Sequence, residues 1–232
     1  MRIAFALLVA AALGPLVGPW SAAAGAWPRG AGQVFLSYGA TLSVPRAGLA
    51  PGATAKRDHS ILAETGLTAR LTFGLDLHRT AGAGYGTAQA FLRYSRPLTG
   101  GHVIALDAGA ALRQRPGRPD EGALRLGLGW GKGTSTRWGD GWAGLDGQAT
   151  WGLDSGRWEA KLDATAGLKP TDRTMLILQL QGSRAAGAVP YLRGTGSVVR
   201  RLSPRLALEA GLSAGLVNTD EIGVILGTWL EF

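Results

Sequence analysis

The feature that most constrains this chain is a period-two alternation whose apolar face carries no charge. Leu71, Phe73, Leu75 and Leu77 are separated by Thr72, Gly74 and Asp76. Leu124, Leu126, Leu128 and Trp130 are separated by Arg125, Gly127 and Gly129, and Trp158, Ala160, Leu162, Ala164 and Ala166 by Glu159, Lys161, Asp163 and Thr165. Successive side chains on a strand point to opposite faces, so each run has one apolar and one polar side. Roughly twelve such runs follow one another, starting near Gln33, His59, Leu71, Thr87, Val103, Ala123, Trp142, Trp158, Thr174, Tyr191, Leu206 and Ile222. Each covers about 9–12 residues, the length a tilted strand needs to cross a bilayer.

The distribution of charge sets the environment. The apolar face of the runs holds no Asp, Glu, Lys or Arg, whereas a soluble sandwich has shorter strands and varies from edge to centre. A charge on a lipid-facing position costs about 2–4 kcal/mol at the midplane. An open sheet edge in lipid would leave backbone groups unpaired. The expected fold class is therefore all-β: a closed, antiparallel, up-and-down transmembrane β-barrel of about twelve strands, spanning 27–232. Prolines 28, 45, 51, 97, 116, 119, 170, 190 and 204 all fall outside the expected runs, as a residue without an N–H should. Short connections alternate with longer ones, except that Lys132 to Gly141 is long for a short-turn position and Asp154 to Arg157 is short for a loop. Trp130, Tyr94 and Phe232 at one side, with Trp151 and Trp158 at the other, suit interfacial girdles.

Upstream of the runs, Met1-Arg2 supplies a positive start and Ile3 to Val17 an apolar stretch. Ala24-Gly25-Ala26 is an A-x-A site, so residues 1–26 read as a signal peptide removed near Ala26, before Trp27. The apolar stretch is too short, and too broken by Pro15 and Pro19, for an anchor. The chain has no Cys, which excludes a disulfide scaffold, a thiol nucleophile and a Cys zinc site. Its three His, at 59, 78 and 102, are scattered, so no metal and no cofactor is expected.

The last strand ends Val224-Ile225-Leu226-Gly227-Thr228-Trp229-Leu230-Glu231-Phe232. A terminal Phe preceded by alternating apolar residues resembles the assembly signal of bacterial outer-membrane β-barrels. Val224, Leu226, Leu230 and Phe232 match it, and Thr228 departs mildly. The resemblance implies localisation in the bacterial outer membrane and recognition by the barrel-assembly machinery. More weakly, the chain resembles the small outer-membrane barrels associated with aromatic-compound degradation.

The polar face supplies the candidate lumen residues: Glu64, Asp76, His78, Arg93, Asp107, Arg113, Arg125, Asp146, Glu159, Lys161, Asp163, Arg193 and Glu209. With Glu231 these give eight acidic against five basic groups, a balance that favours cations. Arg93, Arg113, Arg125 and Arg193 are expected to pair with Asp76, Asp107, Asp146 and Glu209. Two readings stay open. One is passive passage of small, unidentified solutes through a narrow, charge-lined lumen. The other is a non-conducting structural or lipopolysaccharide-contacting barrel held by an ionic plug. An inward apolar pocket around Phe35, Leu62, Phe91, Met175 and Ile177 is also open.

A membrane-embedded hydrolase is disfavoured. His59 and Ser60 are adjacent, so they face opposite ways, and no G-x-S-x-G elbow exists. His78 shares a face with Asp76 and could approach Glu64 or Arg93, but no catalytic residue is assigned. Gly127-Leu128-Gly129-Trp130-Gly131 and Gly82-Ala83-Gly84-Tyr85-Gly86 precede no helix, so they read as lumen-face glycines rather than phosphate loops. The net charge is +8. Its excess lies in connections, at Arg46, Lys56, Arg57, Arg79, Arg115, Arg118, Arg157 and Arg184, where it could meet lipopolysaccharide phosphates. Nucleic acid is not an expected partner, since no contiguous basic run exists.

Overall fold

The computed structural model describes residues 25–46 and 55–232. Residues 1–24 of the expected leader 1–26, and the tip of the first connection with Pro51, lie outside the described residues. Twelve strands form one closed barrel in which every strand pairs with its sequence neighbours and β1 pairs with β12. They are β1 Val34–Pro45, β2 Lys56–Gly66, β3 Leu71–Thr80, β4 Tyr85–Pro97, β5 His102–Gln114 and β6 Glu121–Thr136. The second half comprises β7 Gly139–Gly152, β8 Trp158–Thr171, β9 Thr174–Ala185, β10 Tyr191–Arg201, β11 Leu206–Val217 and β12 Glu221–Glu231. All pairings are antiparallel.

The seam is closed from Phe35↔Glu231 to Pro45↔Glu221. It is extended by the last residue: Phe232 N donates to Val34 O at 2.9 Å, and Val34 N donates to Phe232 O at 3.0 Å. The terminal Phe thus completes the ladder with its backbone. Val224 and Leu226, two of the residues that resemble the assembly signal, are exposed on the outer wall.

The alternation sorts the side chains as their chemistry requires. On β5, Val103, Ala105, Asp107, Ala111 and Arg113 are buried, while Ile104, Leu106, Ala108, Ala110 and Leu112 are exposed. The exposed set continues around the wall through Leu124, Leu126, Leu128, Leu178, Leu180, Leu208 and Leu212. A hydrocarbon solvent makes these positions favourable, whereas water would not. Outward basic residues do occur by the same alternation, at Arg57, Arg79, Arg96, Lys132 and Arg200. They sit toward strand ends, where a long side chain reaches the interface.

Three expectations need correction. The long stretch at Lys132 to Gly141 is not a loop: β6 runs to Thr136, β7 starts at Gly139, and only Arg137 and Trp138 turn between them. Its Gly, Ser and Thr residues carry no apolar alternation, so the pairing was invisible in the pattern. Trp130 accordingly lies within β6 rather than at its end. Pro170 lies inside β8, at the register shift between Leu168 and Thr171, where a bulge removes the need for its missing N–H. Pro45 and Pro97 are the last residues of β1 and β4.

The lipid-facing wall generates a direct test. Leu180→Arg places a charge mid-strand on the outer wall of β9 and is expected to cost about 2–4 kcal/mol of folding free energy. Thr41→Arg, on the inward face of β1, is expected to cost far less. Urea titration of both variants in lipid vesicles, read by the heat-modifiable band shift, separates them. Equal midpoints would contradict the assignment of faces.

Candidate functional site in the barrel lumen

The interior is divided along its length, and this follows from which inward residues each strand supplies. At the end nearer the short turns the inward residues are apolar. Trp142, Met175, Ile177, Val199 and Ala207 form one buried cluster, with Trp27 and Trp229 packed against it. Ala26, Val103 and Ala105 form a second, which also contacts Trp27. The expected inward pocket residues Phe35, Leu62, Phe91, Met175 and Ile177 thus do face inward, but mostly as packed core. Phe35 meets Trp229 edge-on, with ring centroids 5.7 Å apart.

Charges enter this end in matched sets. Glu64 is buried between two guanidinium groups: Arg93 Nη1 donates to Oε1 at 2.7 Å, and Arg29 Nε donates to Oε2 at 2.8 Å. Both arginines also lie over rings, Arg29 above Phe35 at 4.2 Å and Arg93 over Phe91 at 5.0 Å. A buried carboxylate needs such compensation, because its desolvation costs several kcal/mol when unpaired. Arg125 also lies over Phe91, 4.0 Å from the ring centroid. Its Nε donates to Asp107 at 3.0 Å, its Nη1 to Gln89 at 3.0 Å, and Asp76 stands 4.0 Å away. Gln148 joins by donating to Gln89 at 3.0 Å.

Above this network the lumen opens into a cavity of about 450 Å3. Four carboxylates line it, Asp58, Asp76, Glu159 and Glu209, and four cations, Lys56, Arg113, Lys161 and Arg193. The expected acidic excess is therefore absent from the chamber wall. A smaller cavity of about 240 Å3 lies against Arg29, Phe35, Glu64, Arg93, Trp142 and Trp229. Gly39, Ser60, Gln179 and Glu209 line both cavities, so they mark the junction.

Each candidate residue has a definite place. Glu64, Arg93, Asp107, Arg113 and Arg125 are buried. Asp76, His78, Glu159, Lys161, Arg193 and Glu209 line the outer chamber. Asp146 and Asp163 face each other across β7 and β8. The pairings differ from those expected. Arg93 takes Glu64, Arg113 takes Glu121 at 2.9 Å, and Arg193 takes the Gln181 amide oxygen at 2.7 Å. Only Arg125 meets expected partners. Glu209 accepts from Trp229 Nε1 at 3.0 Å instead. Lys161 and Asp163 are neighbours at 3.9 Å, and Glu159 is 3.8 Å from Arg115.

His78 faces Asp58 at 3.8 Å rather than Glu64 or Arg93. His59 Nδ1 bonds the Tyr38 hydroxyl at 2.8 Å, and both His59 and Ser60 reach the edge of the chamber. Several rim cations are engaged within the protein. Arg46 Nη2 donates to Gly215 O at 2.6 Å, Lys56 lies 3.3 Å from Asp58, and Arg157 Nη2 donates to Ala186 O at 3.0 Å.

Sequence reasoning missed Asp58, Lys56 and Glu121 as inward groups, because β2 and β6 start earlier than their apolar alternation. It also missed Arg29, which precedes the first strand. One signal was present: Gly127, Gly129 and Gly131 face inward where side chains would collide with Asp107, crowd Asp146 and Ala26, and strike the Trp27 ring. Gly82 and Gly84 do not share this role. They turn the β3–β4 connection with positive φ, at 76° and 65°.

No protein-family model matches the chain, and no curated protein matches it. Solved structures do. The KdgM porin in complex with disordered oligogalacturonate superposes with a TM-score of 0.61 at 9% identity, over 85% of this chain and 99% of its own. The NanC porin gives 0.61 at 9% identity, over 84% of this chain and 98% of its own. The COG4313 outer membrane channel from Pseudomonas putida F1 gives 0.57 at 14% identity, over 92% and 99%. Nearly the whole of each of those chains is covered, so the similarity is one of entire barrels. The chain has the twelve-stranded, closed, antiparallel barrel fold shared with these bacterial outer-membrane porins and channels.

Proposed function

We propose that this protein is an outer-membrane channel for passive passage of small polar solutes. The observation that carries the reading is the pair of cavities joined at Gly39, Ser60, Gln179 and Glu209. Those four shared residues come from β1, β2, β9 and β11. Fold similarity to porins supports a channel in general terms.

The chamber chemistry supports a solute class. Equal numbers of cations and carboxylates, interleaved with Gln89, Gln148, Gln179, Gln181, Thr87 and Thr195, give a wall that donates and accepts without a net field. Such a wall suits neutral or zwitterionic solutes. It gives no reason to carry over the oligogalacturonate of KdgM, a polyanion that a net-neutral wall would not concentrate.

Single-channel recording of the refolded barrel in a planar bilayer tests the reading. Discrete steps are expected, with a reversal potential near zero in a KCl gradient because neither ion is favoured. Replacing Glu159, Lys161 and Asp163 together by Ala is expected to change the step size. Silence from a barrel whose folding is confirmed by heat-modifiability would overturn the channel and favour the plugged alternative.

A second variant locates the path. Gln179→Trp puts a large ring at the junction of the cavities and is expected to abolish conductance while leaving the folded band intact. Unchanged steps in Q179W would place the path elsewhere.

A further inference from the structure

The segment 26–29 lies inside the barrel. Ala26 is fully buried against Val103 and Ala105. The Trp27 ring lies over Gly131, and Arg29 is clamped on Glu64 with its backbone N–H donating to Thr72 Oγ1 at 3.0 Å. Residues on both sides of the Ala26–Trp27 bond are therefore built into the interior. A cleavage there would discard a buried residue.

The interior charge count points to what belongs at this end. Asp146 and Asp163 sit directly opposite in the β7–β8 register, and both face inward. Like charges directly opposite are destabilising. Lys161 lies 3.9 Å from Asp163, but Asp163 Oδ1 is buried with no hydrogen-bond partner. Among the described residues, no Lys or Arg forms an ion pair with Asp146. The pair of carboxylates is one positive charge short.

Gly25 lies at that position. Its φ is +76°, and a side chain on it would collide with both carboxylate oxygens of Asp146. The Gly25 backbone therefore rests against the carboxylate. An internal amide brings only a dipole to this spot, whereas a free α-amino group brings a full charge. The sequence contains the means to make one, because Ala22-Ala23-Ala24 is also an A-x-A pattern.

We infer that export processing cuts after Ala24, so that the mature chain starts at Gly25 and its α-ammonium is the counter-ion of Asp146. Hydrolysis of the Ala24–Gly25 peptide bond consumes one water, leaving a carboxylate on the leader and an amine, protonated at neutral pH, on Gly25. Residues 25–29 then form an internal strap fixed at two points, the Gly25 ammonium on Asp146 and the Arg29 guanidinium on Glu64. The inference depends on export with leader removal and not on whether the barrel conducts.

Intact mass and N-terminal sequencing of the protein isolated from outer membranes test the processing site. A chain starting at Gly25 is expected. A chain starting at Trp27 overturns the inference while leaving export intact, and an uncleaved chain overturns both. The ion pair is tested by trypsin cleavage after Arg29 in chains refolded with a Gly25 start. The wild-type bond is expected to be protected, and Asp146→Asn or acetylation of the α-amine to speed cutting by at least about tenfold, without further gain when combined. Cutting at the wild-type rate in D146N would overturn the ion pair. If D146N does not fold, the acetylated wild-type chain gives the same reading.

Discussion

Closure of the hydrogen-bond ladder is the constraint on which everything else in this molecule depends. In hydrocarbon each unpaired backbone group costs several kcal/mol, so a sheet can cross only when it has no edges. The last edge is sealed by β1 and β12, and the final backbone pair is contributed by Phe232 with Val34. Twelve strands joined in this way have one outside and one inside. Alternation then leaves no choice: every second residue must suit lipid, and the others must fill or line a tube.

The inside is too wide for strand side chains alone to fill with apolar matter, and the solution differs along its length. Toward the short turns, bulky rings crowd the tube, and the few charges among them are compensated. Glu64 between Arg29 and Arg93, with Phe35 and Phe91 stacked on the guanidinium groups, satisfies a buried charge through both hydrogen bonds and ring faces. Toward the long connections the charges are spaced more widely and water can reach them. Lys56 and Glu221 at 3.6 Å, and Arg115 and Glu159 at 3.8 Å, are loose pairs compared with the buried ones. Screening makes such pairs cheap to separate.

Much of this was legible in the sequence. The strand number, the closed fold and the assignment of faces all follow from the charge-free alternation, since lipid enforces that pattern residue by residue. The partners of the lumen arginines were not legible. Arg93 stands opposite Asp107 in the β4–β5 register yet reaches across β3 to Glu64, and Gly74 on the intervening strand makes room for the Phe91 ring over which its guanidinium lies. Such choices depend on side-chain reach across a curved wall, which a one-dimensional pattern does not encode. Lys132 to Gly141 was illegible for another reason: Gly, Ser and Thr form a good ladder there without an apolar face to announce it.

The segment preceding β1 ties these observations together. A run of Gly127, Gly129 and Gly131 would weaken a strand that served only as wall, because glycine gives up entropy and packs nothing. Here the three missing side chains make a trench, occupied by the Asp107 carboxylate, Ala26 and the Trp27 ring. The strap therefore fills a space that β6 was built to leave. Lying in that trench, the strap also lends Gly25 and Arg29 to the lining of the smaller cavity, so the same residues belong to the packed interior and to the wall of the space left within it. A twelve-stranded barrel can thus hold a core without being filled by it.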